Sequence, residues 1–106
     1  MKFIGRLQDD VFLMQEDKIV IYGCGRVGKK IYEELKKQGM DSKVHAFCDK
    51  NNDLIGKNVE QIPILSVAEA CQKLGEAAFL IASCCVQDMV ETLQKNNINN
   101  IHITRI

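Results

Sequence analysis

One stretch constrains the fold of this chain more than any other. Residues 18–23 read KIVIYG, and Gly23-Cys24-Gly25-Arg26-Val27-Gly28 continues as a complete G-x-G-x-x-G. Ile19, Val20, Ile21 and Tyr22 form an unbroken β-branched and aromatic run, the pattern of a strand buried on both faces. From Val27 onward the period changes. Val27, Ile31 and Leu35 recur at i, i+4 and i+8, while Lys29, Lys30, Glu33, Lys36 and Lys37 fall on the polar side. That predicts an amphipathic helix ending near Gly39. A buried strand, a glycine turn and a helix in that order open a βαβ unit, which requires a parallel sheet.

The rest of the chain repeats the alternation. Residues 43–49 (KVHAFCD) predict a second strand, and the polar residues 50–62 a loop. Pro63-Ile64-Leu65 predicts a short third strand with proline at its first residue. Ser66 and Glu69 have the spacing of a capping box, ahead of a helix burying Val67, Ala70, Cys71 and Leu74. Residues 77–83 (AAFLIAS) predict a fourth strand. Val86, Met89, Val90 and Leu93 predict a third helix that stops at Asn96-Asn97. Ile101-His102-Ile103 predicts a fifth strand. With right-handed crossovers the order is 3-2-1-4-5. The reading is an α/β, doubly wound parallel sheet of five strands. Residues 1–17 form an N-terminal segment and 18–106 the nucleotide-binding domain. Phe3, Leu7, Phe12 and Met14 favour a short helix for the N-terminal segment, with an extended arm or a partner-binding segment as alternatives.

The glycines have separate tasks. Gly23 permits the tight turn, Gly25 admits a diphosphate to the backbone, and Gly28 brings helix and strand together. The helix N-terminus then offers free N–H groups to the anion. Asp49 ends the second strand 21 residues after Gly28, the place of an acid that binds an adenosine ribose. An acid there favours NAD over NADP, and the adjoining Lys50 blurs that preference. NADP or another nucleotide remains the alternative ligand. An S-adenosylmethionine turn would need glycine at Val27, and has none there. Gly23, Cys24, Gly25, Arg26, Val27, Gly28, Asp49 and Lys50 are therefore the candidate binding residues. Ser83 and Cys84, after the fourth strand, join them near the middle of the cofactor. For the glycine turn the bland alternative is a strand–helix turn that binds nothing. For Arg26 it is a solvated loop residue.

Composition narrows the partners. Among 106 residues, 14 are Lys or Arg and 14 are Asp or Glu. The zero balance predicts no nucleic-acid partner. No apolar run reaches a membrane span. Five cysteines without a secretory signal place the chain in a reducing cytoplasm. No C-x-x-C is present, so no metal site is expected. Cys24, Cys48, Cys84 and Cys85 fall near the carboxyl edge of the sheet, where a helix N-terminus would lower a thiol pKa. A redox sensor or soft-metal site competes there with a plain need for small residues. His45 and His102 read as half-buried core histidines.

Three segments together, KIVIYGCGRVGKKIYEEL, AFCDKNNDLIGKNVEQIPIL and AFLIAS, resemble a Rossmann-type domain of bacterial surface-polysaccharide biosynthesis. The domain occurs at the N-terminus of CapD-like nucleotide-sugar epimerase/dehydratases and of sugar O-acyltransferases. The resemblance covers roughly residues 18–103. Gly23, Gly25, Gly28, Asp49, Gly56 and Pro63 match its pattern, and Gln61 stands where it carries glycine. It implies an accessory module that binds NAD(P), a nucleotide-sugar or another nucleotide. GCGRVG alone is similar to the regulatory KTN or RCK domains of potassium transporters, but Ile62-Pro63-Ile64-Leu65 departs from their third strand. Neither resemblance supplies a catalytic site. Tyr32 and Lys36 have Tyr-x-x-x-Lys spacing, yet on the first helix. If the chain serves an enzyme, that enzyme is an epimerase/dehydratase or a transferase. The other alternative is an interaction scaffold that has lost its ligand. The fifth strand leaves an edge to cover, by the N-terminal segment or by a second subunit, so a homodimer or a catalytic partner protein is a possible partner.

Overall fold

The structure, a computed structural model, describes residues 1–82 and 86–105. Ten elements of strand or α-helix follow one another in the described residues. They are β1 (Phe3–Arg6), β2 (Ile19–Tyr22), α1 (Arg26–Lys37), β3 (Val44–Asp49), β4 (Asn58–Val59), β5 (Ile62–Ser66), α2 (Val67–Lys73), β6 (Ala78–Ala82), α3 (Val86–Lys95) and β7 (Ile101–Arg105). The sheet runs β1-β7-β6-β2-β3-β5-β4. Its inner five strands, β5-β3-β2-β6-β7, are the predicted 3-2-1-4-5 order, and all are parallel. Strand count rises to seven because each edge gains one strand.

Alternation along β2 divides the core. Ile19 and Ile21 face Ile31, Tyr32 and Leu35 of α1, while Val20 and Tyr22 face Val67, Ala70 and Leu93 of α2 and α3. Burial on both faces explains why β2 is apolar without interruption. The buried face of α1 is Gly28, Ile31, Tyr32 and Leu35. Val27 is instead partly exposed, because in the first turn of α1 it overhangs the carboxyl edge of the sheet. Tyr32 packs edge-to-face on Phe47 with ring centroids 5.8 Å apart, so the Tyr32–Lys36 pair belongs to helix packing.

Helix ends follow their residues. Gly39 has φ +72°, and the Met40 and Gly39 N–H groups donate to Leu35 and Lys36 carbonyls at 2.9 and 3.0 Å. That is a Schellman ending, which favours glycine. Asn97, φ +64°, closes α3 the same way. Ser66 Oγ accepts from the Glu69 N–H at 3.1 Å. Only half of the capping box forms, since the Glu69 carboxylate pairs with Lys73 at 2.8 Å.

Four expectations are corrected. The N-terminal residues do not form an α-helix. They form β1, parallel to β7, and two 3-10 turns at Leu7–Asp9 and Leu13–Gln15. The N-terminal segment thereby covers the β7 edge from within the chain. Residues 50–62 are not all loop: Asn58 and Val59 pair antiparallel with β5. Glu60 and Gln61 between them have φ of +49° and +73°, a two-residue connection that bends with the sheet twist. The left-handed backbone at Gln61 is a conformation that favours glycine. His45 is exposed, because β2–β3 pairing steps from Ile19–Val44 to Val20–Ala46 and leaves it as the extra residue of a bulge. His102, by contrast, is fully buried and meets Asp10 at 2.6 Å.

Candidate functional site

The carboxyl ends of β2, β3 and β6 meet at the glycine turn. An ideal Cβ on Gly28 would stand 1.8 Å from the Gly23 carbonyl oxygen. Only glycine lets α1 begin so close to β2. Gly23 has φ +102°, and Gly25 caps α1 with nothing within 4 Å of its Cβ position. The first turn of α1 therefore faces open space with its N–H groups free of side-chain caps, a favourable seat for a diphosphate.

A cavity lies on each side of this turn. The first, about 240 Å3, lies against the start of α1 and reaches Val27, Ile31 and Ala82. The second, about 210 Å3, is lined by Asp49, Lys50 and Asp88. Tyr22, Gly23 and Met89 line both, so the two form one crevice across the turn.

Asp49 is held firmly. Its Oδ2 accepts the Cys24 N–H at 2.8 Å and its Oδ1 accepts the Asn51 N–H at 2.9 Å. The end of β3 is thus tied to the turn after β2. A carboxylate has about four acceptor positions, so both oxygens retain capacity toward the cavity.

Of the sequence-predicted residues, Gly23, Gly25, Arg26, Val27 and Gly28 line the first cavity, and Gly23, Asp49 and Lys50 the second. Cys24 contributes its backbone only, because its side chain is buried in the α1-facing core. Ser83, Cys84 and Cys85 lie outside the described residues. Sequence reasoning missed Tyr22, Ala82, Asp88 and Met89. The topology could have flagged Asp88 and Met89, since the helix after the fourth strand begins at this edge.

The thiol chemistry is also corrected. Burial pushes the Cys24 thiol upward, against the opposing effect of Lys29. Burial pushes Cys48 far up, with the Cys71 and Asp49 charges acting the same way, and burial raises Cys71. Tyr22 is pushed up to about 12, chiefly by burial. Raised thiols are poor nucleophiles at neutral pH. They also set a pH dependence. Unfolded thiols ionise near their ordinary 9.0, while the native ones keep their protons, so the native state binds more protons above that pH. Stability is expected to be full below about pH 9 and to fall as pH rises beyond it. Urea midpoints at mildly and strongly alkaline pH check this, and a constant midpoint would refute it.

Residues 14–105 match the family described as CoA binding domain. The chain belongs to that family. A comparison with curated proteins returns no match. Among solved structures the fold is similar to that of RSP, a Rex-family repressor, with a TM-score of 0.65 and 12% identity. The match covers 94% of this chain and 57% of RSP. RSP in complex with β-NADH matches with a TM-score of 0.63 at 12% identity, covering 94% and 58% of the two chains. RSP in complex with β-NAD+ and operator DNA matches with 0.60 at 13% identity, covering 90% and 54%. The chain spans little more than half the length of these structures, and at such identity the likeness shows the fold.

These findings establish a Rossmann-type nucleotide-binding domain. They also overturn the expectation of no nucleic-acid partner, because a protein built on this fold is solved on operator DNA. Net charge describes this chain's own surface and does not limit what a protein containing such a fold contacts. No helix among the described residues is long and apolar enough to cross a membrane.

Proposed function

We propose that this chain is a binding module for an adenine dinucleotide of the NAD(H) type. The adenosine occupies the cavity at Asp49, whose carboxylate accepts the ribose hydroxyls. The diphosphate lies over Gly23, Gly25 and Gly28 against the first turn of α1, with Arg26 beside it. The remaining half of the ligand extends past Val27, Ala82 and Met89. The observation that carries this reading is the single crevice across the glycine turn, with an acid fixed at one end by the turn's own N–H. The β-NAD+ and β-NADH complexes of the similarly folded RSP support it. A role as accessory module in bacterial surface-polysaccharide or nucleotide-sugar metabolism, in the cytoplasm, rests on the sequence resemblance.

Calorimetric titration tests the module. NAD+ or NADH is expected to bind with a Kd below about 1 mM. Tighter binding of a UDP-sugar would shift the ligand class toward nucleotide-sugars. No heat with any nucleotide would leave the ligand-free scaffold.

A further inference from the structure

The two halves of the crevice differ in charge. The cavity under the start of α1 carries one charged side chain, Arg26. The cavity at the end of β3 carries three: Asp49, Lys50 and Asp88. Asp88 comes from a different element than the other two. It stands in the first turn of α3, and it faces the same cavity as Asp49 only because α3 starts at the same sheet edge. Lys50 is exposed at the β3 end. Among the described residues the lining has two carboxylates against one ammonium.

We infer that Asp88, acting with Asp49, makes this cavity accept an adenosine whose ribose hydroxyls are free and reject one whose ribose carries a phosphate. The inference rests on the dinucleotide reading above. A free ribose offers hydroxyl donors to the acceptor positions left on Asp49. A ribose phosphate offers only acceptors and brings about −1.5 to −2 charge at neutral pH. It would sit between two carboxylates, with Lys50 as the one opposing cation of the lining. The N-terminus of α3 would ordinarily attract an anion, and Asp88 in its first turn offsets that attraction. The ligand diphosphate escapes the repulsion because it lies over the turn, toward free N–H groups and Arg26.

Ligand choice within the family follows from this. CoA carries a phosphate on the 3′ position of its adenosine ribose, and NADP carries one on the 2′ position. This chain belongs to the CoA binding domain family, yet its adenosine cavity does not fit CoA. Lys50 alone leaves the preference between NAD and NADP blurred, and Asp88 decides it.

The test uses two matched ligand pairs with the full chain: CoA against 3′-dephospho-CoA, and NADP+ against NAD+. Each pair differs only by the phosphate, so the ratio of affinities isolates it. The unphosphorylated member is expected to bind at least about tenfold tighter in each pair at low salt. Asp88→Asn is expected to shrink both ratios at least about threefold, and Asp88→Lys further. Asp88 lies on the helix surface, and a circular dichroism melt verifies that the variants fold. Ratios near one in the parent, or ratios that Asp88→Asn leaves unchanged, would overturn the inference while the dinucleotide reading stands. Failure of all four ligands to bind would overturn both.

Discussion

Gly28→Ala is expected to abolish nucleotide binding and to cost about 3 kcal/mol of stability. The added methyl would stand 1.8 Å from the Gly23 carbonyl oxygen and 2.7 Å from its carbon. Both are backbone atoms of the turn, so no side chain can yield. Helix α1 would have to withdraw from β2, loosening Ile31 and Leu35, which are fully buried. Better helix propensity returns at most about 1 kcal/mol. Gly25→Ala is the matched control. Its Cβ meets nothing within 4 Å, so stability should stay within about 0.5 kcal/mol. Binding should nonetheless fall at least about tenfold, because the methyl fills the approach of the diphosphate. Urea denaturation and NADH titration read both effects. A Gly28→Ala protein as stable as the parent would refute the packing account. Undiminished binding by Gly25→Ala would remove the diphosphate from the turn.

Asp10→Ala is expected to be more damaging still to stability, at about 4 kcal/mol. Asp10 and His102 are both buried, 2% and 0% exposed, and meet at 2.6 Å. The other Asp10 oxygen accepts the Leu13 N–H at 2.9 Å. The second nitrogen of His102 faces Asn100 Oδ1 at 3.0 Å, and Asn100 Nδ2 donates to Glu16 at 2.9 Å. Both ring nitrogens thus face side-chain oxygens. Removing the carboxylate strands a buried ring and frees the turn at Leu13. Stability of such a domain is about 5–15 kcal/mol in all, so the loss is a large fraction of it. The melting temperature should drop by more than about 15 °C. The double variant Asp10→Ala/His102→Leu should recover part of the loss, since an apolar pair leaves no orphaned polar group. A loss under about 1 kcal/mol would mean that the pair does not fasten the N-terminal segment.

The inner sheet was legible because its signals are short-range. A buried strand has to be apolar at every residue, and the helix periods around it need no distant information. Helix stops at Gly39 and Asn97 were readable for the same reason, since left-handed backbone favours those residues locally. The edges were not legible. Half of β1 is exposed, so Phe3-Ile4-Gly5-Arg6 carries no more pattern than a loop, and its strand character comes from the β7 edge beside it. The same holds for the two residues of β4. His45 and His102 read alike in sequence. A register step exposes the first, and a carboxylate from the opposite end of the chain buries the second.

The candidate site divides in the same manner. The sequence alone determined a glycine turn between a buried strand and a helix, and an acid at the end of the next strand. Backbone conformation and close approach are local demands, so they are written in consecutive residues. Only the tertiary structure decided that the Cys24 N–H fixes Asp49, that the Cys24 thiol turns into the core, and that Asp88 shares a cavity with Asp49. Those outcomes depend on which strands lie side by side and where the following helices begin, and packing across the sheet sets both.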